Sequence, residues 1–196
     1  MRLFIAVNLP ESVCIDLHAA TSTLRRVAPT ARWVHPDMLH ITLKYLGHVK
    51  DDVVPRIRDH LVLAARSSVP FELRVQGLGA FPSLHHPRTL WAGVAHSAPL
   101  EWLQSAVERE IAPLGFETDA RPFHPHITLG RVRVALPDEE LAAAEHEAAQ
   151  WTYQTRASIR TVELMESTPS PKGARYAPVK SCILGNTGDS DRVSNA

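Results

Sequence analysis

Two short stretches decide how this chain is read: "HITLKYLG" at residues 40–47 and "HITLGRVR" at residues 126–133. The tetrapeptide His-Ile-Thr-Leu occurs in both. Side chains alternate across a strand, so His and Thr of each copy share one face and Ile and Leu share the other. Ile41, Leu43 and Tyr45 are expected to bury, leaving His40, Thr42 and Lys44 on the opposite face. In the second copy Ile127 and Leu129 are expected to bury while His126, Thr128 and Gly130 face out. Each copy then presents an imidazole and a hydroxyl about 7 Å apart along its strand. If a pseudo-twofold brings the two strands together, two imidazoles and two hydroxyls surround one cleft.

The flanking sequence predicts alternating strands and helices. Strands are expected at 2–9, 38–46, 71–78, 89–96, 124–134, 151–167 and 174–184, with a short extended piece at 32–36. Helices are expected over about 11–27, 51–66, 98–115 and 137–150. Several strands follow one another directly, 71–78 with 89–96 and 151–167 with 174–184. That favours an α+β fold with antiparallel sheets over a doubly wound parallel one. No linker is rich enough in Gly or Ser to separate independent domains. Residues 1–185 read as one domain of two interleaved lobes, and the polar stretch 186–196 reads as a disordered tail.

The chain has 196 residues, 44% of them hydrophobic, and 21 basic against 21 acidic side chains. This suffices for one sizeable core. Binding along the length of a nucleic acid is driven by phosphate neutralisation and shows as a basic excess. With none here, any nucleic acid is expected to be met at a short piece or an end. Cys14 and Cys182 lack both a disulfide framework and a metal-type spacing, and are read as reduced, buried thiols. No apolar run approaches the ~20 residues of a membrane span. The expectation is a cytoplasmic protein away from membranes.

A lone His-x-Thr in a strand is ordinary structure. Two identical copies, each in a strand context and each followed by a basic residue (Lys44, Arg131), are a different matter. Histidine titrates near pH 6.5, so one neutral imidazole can take a proton while a protonated partner donates one. Threonine hydroxyls can donate to phosphate oxygens as charge builds there. That set suits phosphodiester chemistry without a metal or other cofactor. A metal site built on His124 and His126, with His85 and His86 adding two more nitrogens, is the competing reading, but no acidic or Cys ligand stands near the repeated histidines with usual spacing. Nothing matches a nucleotide-binding loop, so no ATP use is expected.

The two motifs resemble those of the 2H phosphoesterase superfamily, and within it the RNA 2′,3′-cyclic phosphodiesterases historically called 2′-5′ RNA ligases (LigT/ThpR). The likeness extends to "LFIAVNLP" (3–10), "WVHPDMLHITLKYLG" (33–47), "FPSLHHPRTLWAGV" (81–94), "RPFHPHITLGR" (121–131) and "ELMESTPSPKGARYAPV" (163–179). It implies a bilobal α+β fold, with two antiparallel sheets flanked by helices around a central cleft. It implies opening of an RNA terminal 2′,3′-cyclic phosphate to a 2′-phosphomonoester, with reverse 2′-5′ ligation open to the same site. Carried over, His40 is the proton donor, His126 the acceptor, and Thr42, Thr128 and Arg131 hold the phosphate. Arg121, Lys44, Arg88 and Tyr176 are weaker substrate-binding candidates. The expected partner is an RNA end, met by a monomer. The alternative substrates are a small cyclic nucleotide, ADP-ribose cyclic phosphate or a 2′-5′ oligoadenylate.

Overall fold

The computed structural model describes residues 1–170 and 174–186. Of the tail expected over 186–196, residues 187–196 lie outside the described residues. Among the described residues nine strands form one curled antiparallel sheet: β1 (Arg2–Asn8), β2 (Arg32–Trp33), β3 (His40–His48), β4 (Phe71–Phe81), β5 (Thr89–Val94), β6 (His126–Arg131), β7 (Gln154–Ile159), β8 (Thr161–Thr168) and β9 (Arg175–Ile183). The helices are α1 (Glu11–Ala20), α2 (Ser22–Val27), α3 (Val54–Arg66), α4 (Ala98–Ile111) and α5 (Asp138–Ala149).

The strand order is β7-β4-β5-β6-β3-β1-β8-β9, with β2 lying along β6. The two marked strands, β3 and β6, are central. They pair through a single position, Ile41 opposite Ile127. On one side of that junction β3 continues into β1, β8 and β9; on the other, β6 continues into β5, β4 and β7. Each half has four strands, and in both a helical connection links the two inner ones (β1 to β3 through α1 and α2, β5 to β6 through α4), so the junction marks the pseudo-twofold and the α+β, bilobal expectation holds, with the two expected sheets joined into one at Ile41–Ile127.

The core lies on the face carrying the motif isoleucines. Ile41 and Ile127 are fully buried, together with Leu3, Ile5, Val162 and Leu164 of one half and Leu73, Ala157 and Ile159 of the other. Helix α4 is amphipathic at helical spacing: Leu100, Leu103, Val107 and Ile111 are buried. It opens with the Ser97 hydroxyl accepting from the Leu100 amide and gives way through a 3₁₀ turn to Gly115, whose φ is +90°. Helix α3 buries Ile57, Leu61, Ala64 and Ala65 and packs against α4. Burying each of the larger side chains contributes about 1.5–3 kcal/mol, and truncating one, as in Leu61→Ala, costs about 2–5 kcal/mol.

Three local expectations are corrected. The helix expected over 11–27 breaks at Thr21, whose hydroxyl donates back to the Leu17 and His18 carbonyls. The strand expected over 151–167 is two strands. Positions that join the main core are odd in β7 (Ala157, Ile159) and even in β8 (Val162, Leu164), and the phase breaks at Arg160 as the chain crosses from one half to the other.

The third correction concerns Lys44. In the ladder with β1, Ala6 faces Thr42 and Ile5 faces Lys44, so Leu43 is an extra, bulged residue. A bulge reverses the alternation beyond it. Lys44 therefore turns to the core side, 6% exposed, and Tyr45 turns outward, 55% exposed. The Lys44 ammonium donates to Glu108 Oε2 of α4 at 2.5 Å and to the Glu117 carbonyl at 2.7 Å. It is a structural cation and not a cleft residue.

Candidate active site

The same bulge occurs in the second copy. Trp91 faces Thr128 and Leu90 faces Gly130, leaving Leu129 extra. Gly130 then takes the buried place that Lys44 holds in β3, beneath the Trp33 ring, and Arg131 takes the place of Tyr45. The bulge thus sets Arg131 on the same face as His126 and Thr128. Tyr45 joins His40 and Thr42, opposite Phe4 on β1.

Because Ile41 faces Ile127 in antiparallel register, the neighbours cross over. In a regular ladder His40 would lie opposite Thr128 and Thr42 opposite His126, with the two histidines on a diagonal of about 7–8 Å. Pairing beyond the single bridge is absent among the described residues, so the strands part around this quartet. All four residues are half-buried, on the face away from the main core.

Each histidine is held in the same way. His40 Nδ1 lies 2.7 Å from the Met38 carbonyl, and His126 Nδ1 lies 2.8 Å from the His124 carbonyl. A carbonyl only accepts, so each Nδ1 must carry hydrogen and donate. Nε2 is left as the titrating nitrogen in both rings. The Met38 carbonyl is delivered by the 3₁₀ turn Pro36–Met38, which interrupts the chain just before β3.

The surroundings differ. His40 is packed by Phe4, with centroids 5.0 Å apart, and by Tyr176, edge-on at 5.2 Å and 90°. Phe4, Ala6 and Met165 form a small apolar cluster there with Tyr176. His126 sits against a wall of Phe81 (5.0 Å), Trp91 (6.4 Å) and the near-parallel His124 ring (6.5 Å). Trp91 lies flat over Gly79, where a Cβ would come within 2.3 Å of the indole. Burial is the main cause lowering both histidine pKa values below the ordinary range; hydrogen bonds to Met38 and His124 oppose it. The charge of Arg131 lowers both further, so its guanidinium acts on both imidazoles from one strand end.

Of the weaker candidates, Tyr176 is at the site. Arg88 is exposed beside Thr89, the residue paired with Arg131. Arg121 is exposed in the loop before β6, on the Asp119 carboxylate of that same loop. Sequence reading misses the Phe81–Trp91–His124 wall and the two carbonyl anchors. The i, i+2 spacing of His124 and His126 is visible there, but only as a candidate metal pair. Among the described residues no group of three or more His, Cys, Asp or Glu is arranged to hold a metal ion. His85 instead lies 2.5 Å from Glu145. Cys14 and Cys182 are free and buried, and burial pushes both thiols up to about 11. Among the described residues no helix is long and apolar enough to cross a membrane.

A bilobal antiparallel sheet with one His-x-Thr pair from each half at its centre is the architecture of the 2H phosphoesterases. The chain belongs to the 2′-5′ RNA ligase superfamily, whose pattern it matches over residues 10–170. It is 31% identical over 180 residues to an RNA 2′,3′-cyclic phosphodiesterase of Archaeoglobus fulgidus, covering 92% of this chain and 98% of that one. A Methanothermobacter thermautotrophicus protein of the same name is 29% identical over 180 residues, covering 92% and 97%. Among solved structures, one from Thermus thermophilus superposes with a TM-score of 0.79 at 26% identity, covering 96% of this chain and all of that one. E. coli LigT complexed with 3′-AMP superposes with a TM-score of 0.69 at 26% identity, covering 94% and 98%.

Proposed function

We propose that this protein hydrolyses the terminal 2′,3′-cyclic phosphate of RNA to a 2′-phosphomonoester by acid–base catalysis between two histidines. The observation that carries the reading is the pair of imidazoles brought together at the Ile41–Ile127 crossing, each with Nδ1 pinned to a carbonyl and Nε2 left to exchange protons. The names of the relatives supply the substrate class.

In the reaction, water attacks phosphorus in line with the P–O3′ bond. Neutral His126 takes the proton of the water as its oxygen bonds to phosphorus. Protonated His40 gives its proton to O3′ as the P–O3′ bond breaks. The phosphate stays on O2′. Afterwards His126 is protonated and His40 neutral, and exchange with solvent restores the starting state. Thr42 and Thr128 donate to the non-bridging oxygens, and Arg131 balances their charge. The parallel reaction, with an RNA 5′-hydroxyl attacking in place of water and the same O3′ leaving, makes a 2′-5′ linkage and needs no ATP. The reading places a monomer in the cytoplasm, where free thiols persist, with residues 1–185 as one catalytic unit.

The test is a short RNA ending in a 2′,3′-cyclic phosphate, incubated with the protein in EDTA, with the product compared with 2′- and 3′-phosphate standards. The expected result is a 2′-phosphate formed in EDTA. A 3′-phosphate product, or turnover abolished by EDTA, contradicts the proposal.

A further inference from the structure

A cavity of about 470 Å³ opens beside His40, within the size range of small-ligand sites. Its wall includes Ile15, Met38, Tyr176 and Pro178, with the exposed acidic residues Glu11 and Asp37 at its edge. No Lys or Arg is among the described residues lining it. His35 is the one lining group besides His40, among the described residues, that can become a cation, and its Nδ1 lies 2.5 Å from Asp37. Burial first, then the charges of Asp37 and Glu11, push up the thiol of Cys14, which also lines the cavity. Both carboxylates thus act on the same space.

An apolar hollow edged by carboxylates repels a phosphate. It suits a flat, uncharged group that presents N–H donors. The position says which group this is. His40 gives its proton to O3′, so the ribose carrying O3′ lies on His40's side of the phosphorus, and its base with it. The attacking water lies on the other side, by His126 and the Phe81–Trp91–His124 wall. We infer that the cavity beside His40 takes the base of the terminal nucleoside, and that Glu11 makes it select for bases with N–H donors, guanine foremost. The inference rests on the proposed reaction and on His40 as its proton donor.

The preference follows from donor geometry. Guanine places N1–H and one N2–H side by side, matched to the two oxygens of one carboxylate. Adenine and cytosine offer a single amino group there, cytosine's being a known carboxylate partner. Uracil offers one N–H between two carbonyl oxygens, and a carboxylate is repelled by both. Glu11 makes no hydrogen bond or ion pair among the described residues, whereas Asp37 is engaged by His35. Glu11 is therefore the selecting group. It starts α1, so its backbone position is fixed by the helix.

Two readouts test this. Calorimetry compares the binding of guanosine and uridine 2′-monophosphates, which do not react. Kinetics compare kcat/KM for guanosine and uridine 2′,3′-cyclic phosphates. The expected guanosine-to-uridine ratio is about tenfold in both for the native protein, falling to less than about twofold in Glu11→Gln. A native ratio near one, or a ratio untouched by Glu11→Gln, overturns the inference. A binding ratio that responds to Glu11→Gln while neither cyclic phosphate is turned over upholds the selective cavity and overturns the proposed reaction instead.

Discussion

The two halves of the sheet carry the same tetrapeptide, the same bulge after it and the same carbonyl anchor for the imidazole, yet they close around their histidines differently. His40 is boxed between Phe4 and Tyr176 beside an acidic, base-sized hollow. His126 stands against an open aromatic wall that includes a third imidazole. Two positions beyond each motif threonine, the first copy has Lys44 sealed onto Glu108 and the second has Gly130 under Trp33. One position further, Tyr45 answers Arg131. What the halves share is what proton transfer requires of both histidines. Where they differ, the proposed reaction assigns the nucleoside to one half and the cation and attacking group to the other.

The largest effect tests the shared part. His40→Ala and His126→Ala should each lower kcat/KM by about 10²–10⁴, the usual range for general acid–base residues. A loss confined to one of them would make the halves unequal in chemistry and not only in surroundings. Next, Lys44→Met strands the 11%-exposed Glu108 carboxylate in the core. Removing one partner of a buried pair costs about 3–5 kcal/mol, read as a lower midpoint of denaturation. A lower kcat without a change in stability would return Lys44 to the cleft.

Arg131→Gln sharpens the contrast with Tyr45. It should lower kcat/KM about 10- to 100-fold, as expected for a charge-assisted contact to phosphate. It should also move the pH profile. Productive binding needs one histidine protonated and one neutral, and burial lowers both pKa values. The kcat/KM bell should therefore centre on the acid side of histidine's ordinary value of about 6.5. Arg131 lowers both values through its charge, so its removal should shift both limbs to higher pH. A shift to lower pH would contradict its position. The smallest effect is expected at the exposed Tyr45, whose hydroxyl accepts from Arg2 Nε at 2.5 Å. Tyr45→Phe should change stability by less than ~1 kcal/mol, measured by thermal unfolding, and rate by less than about twofold.

Much of this was legible in the sequence because strand periodicity is strict. The alternation placed Ile41 and Ile127 in the core and His40, Thr42, His126 and Thr128 on the other face. It failed at Lys44 and Tyr45 because a bulge inserts one residue and reverses the phase, and no residue type announces it. Leu43 and Leu129 look like any buried leucine. The break between β7 and β8 was visible as a change of phase at Arg160, but strand propensity alone ran through it. The aromatic wall could not be foreseen, since Phe81, Trp91 and His124 meet only through the pairing of β4, β5 and β6. The cavity beside His40 likewise joins residues of α1, the Pro36–Met38 turn and β9 that no local pattern connects.

The central claim is that the two halves build one site, each contributing one imidazole to a single proton relay. Comparing kcat/KM for His40→Ala, His126→Ala and the double variant on one RNA with a 2′,3′-cyclic phosphate tests it most directly. Groups that act as a unit are non-additive. The account predicts that the double variant is little slower than the slower single one. Losses that multiply in full would mean that the histidines act independently, and would contradict the shared site.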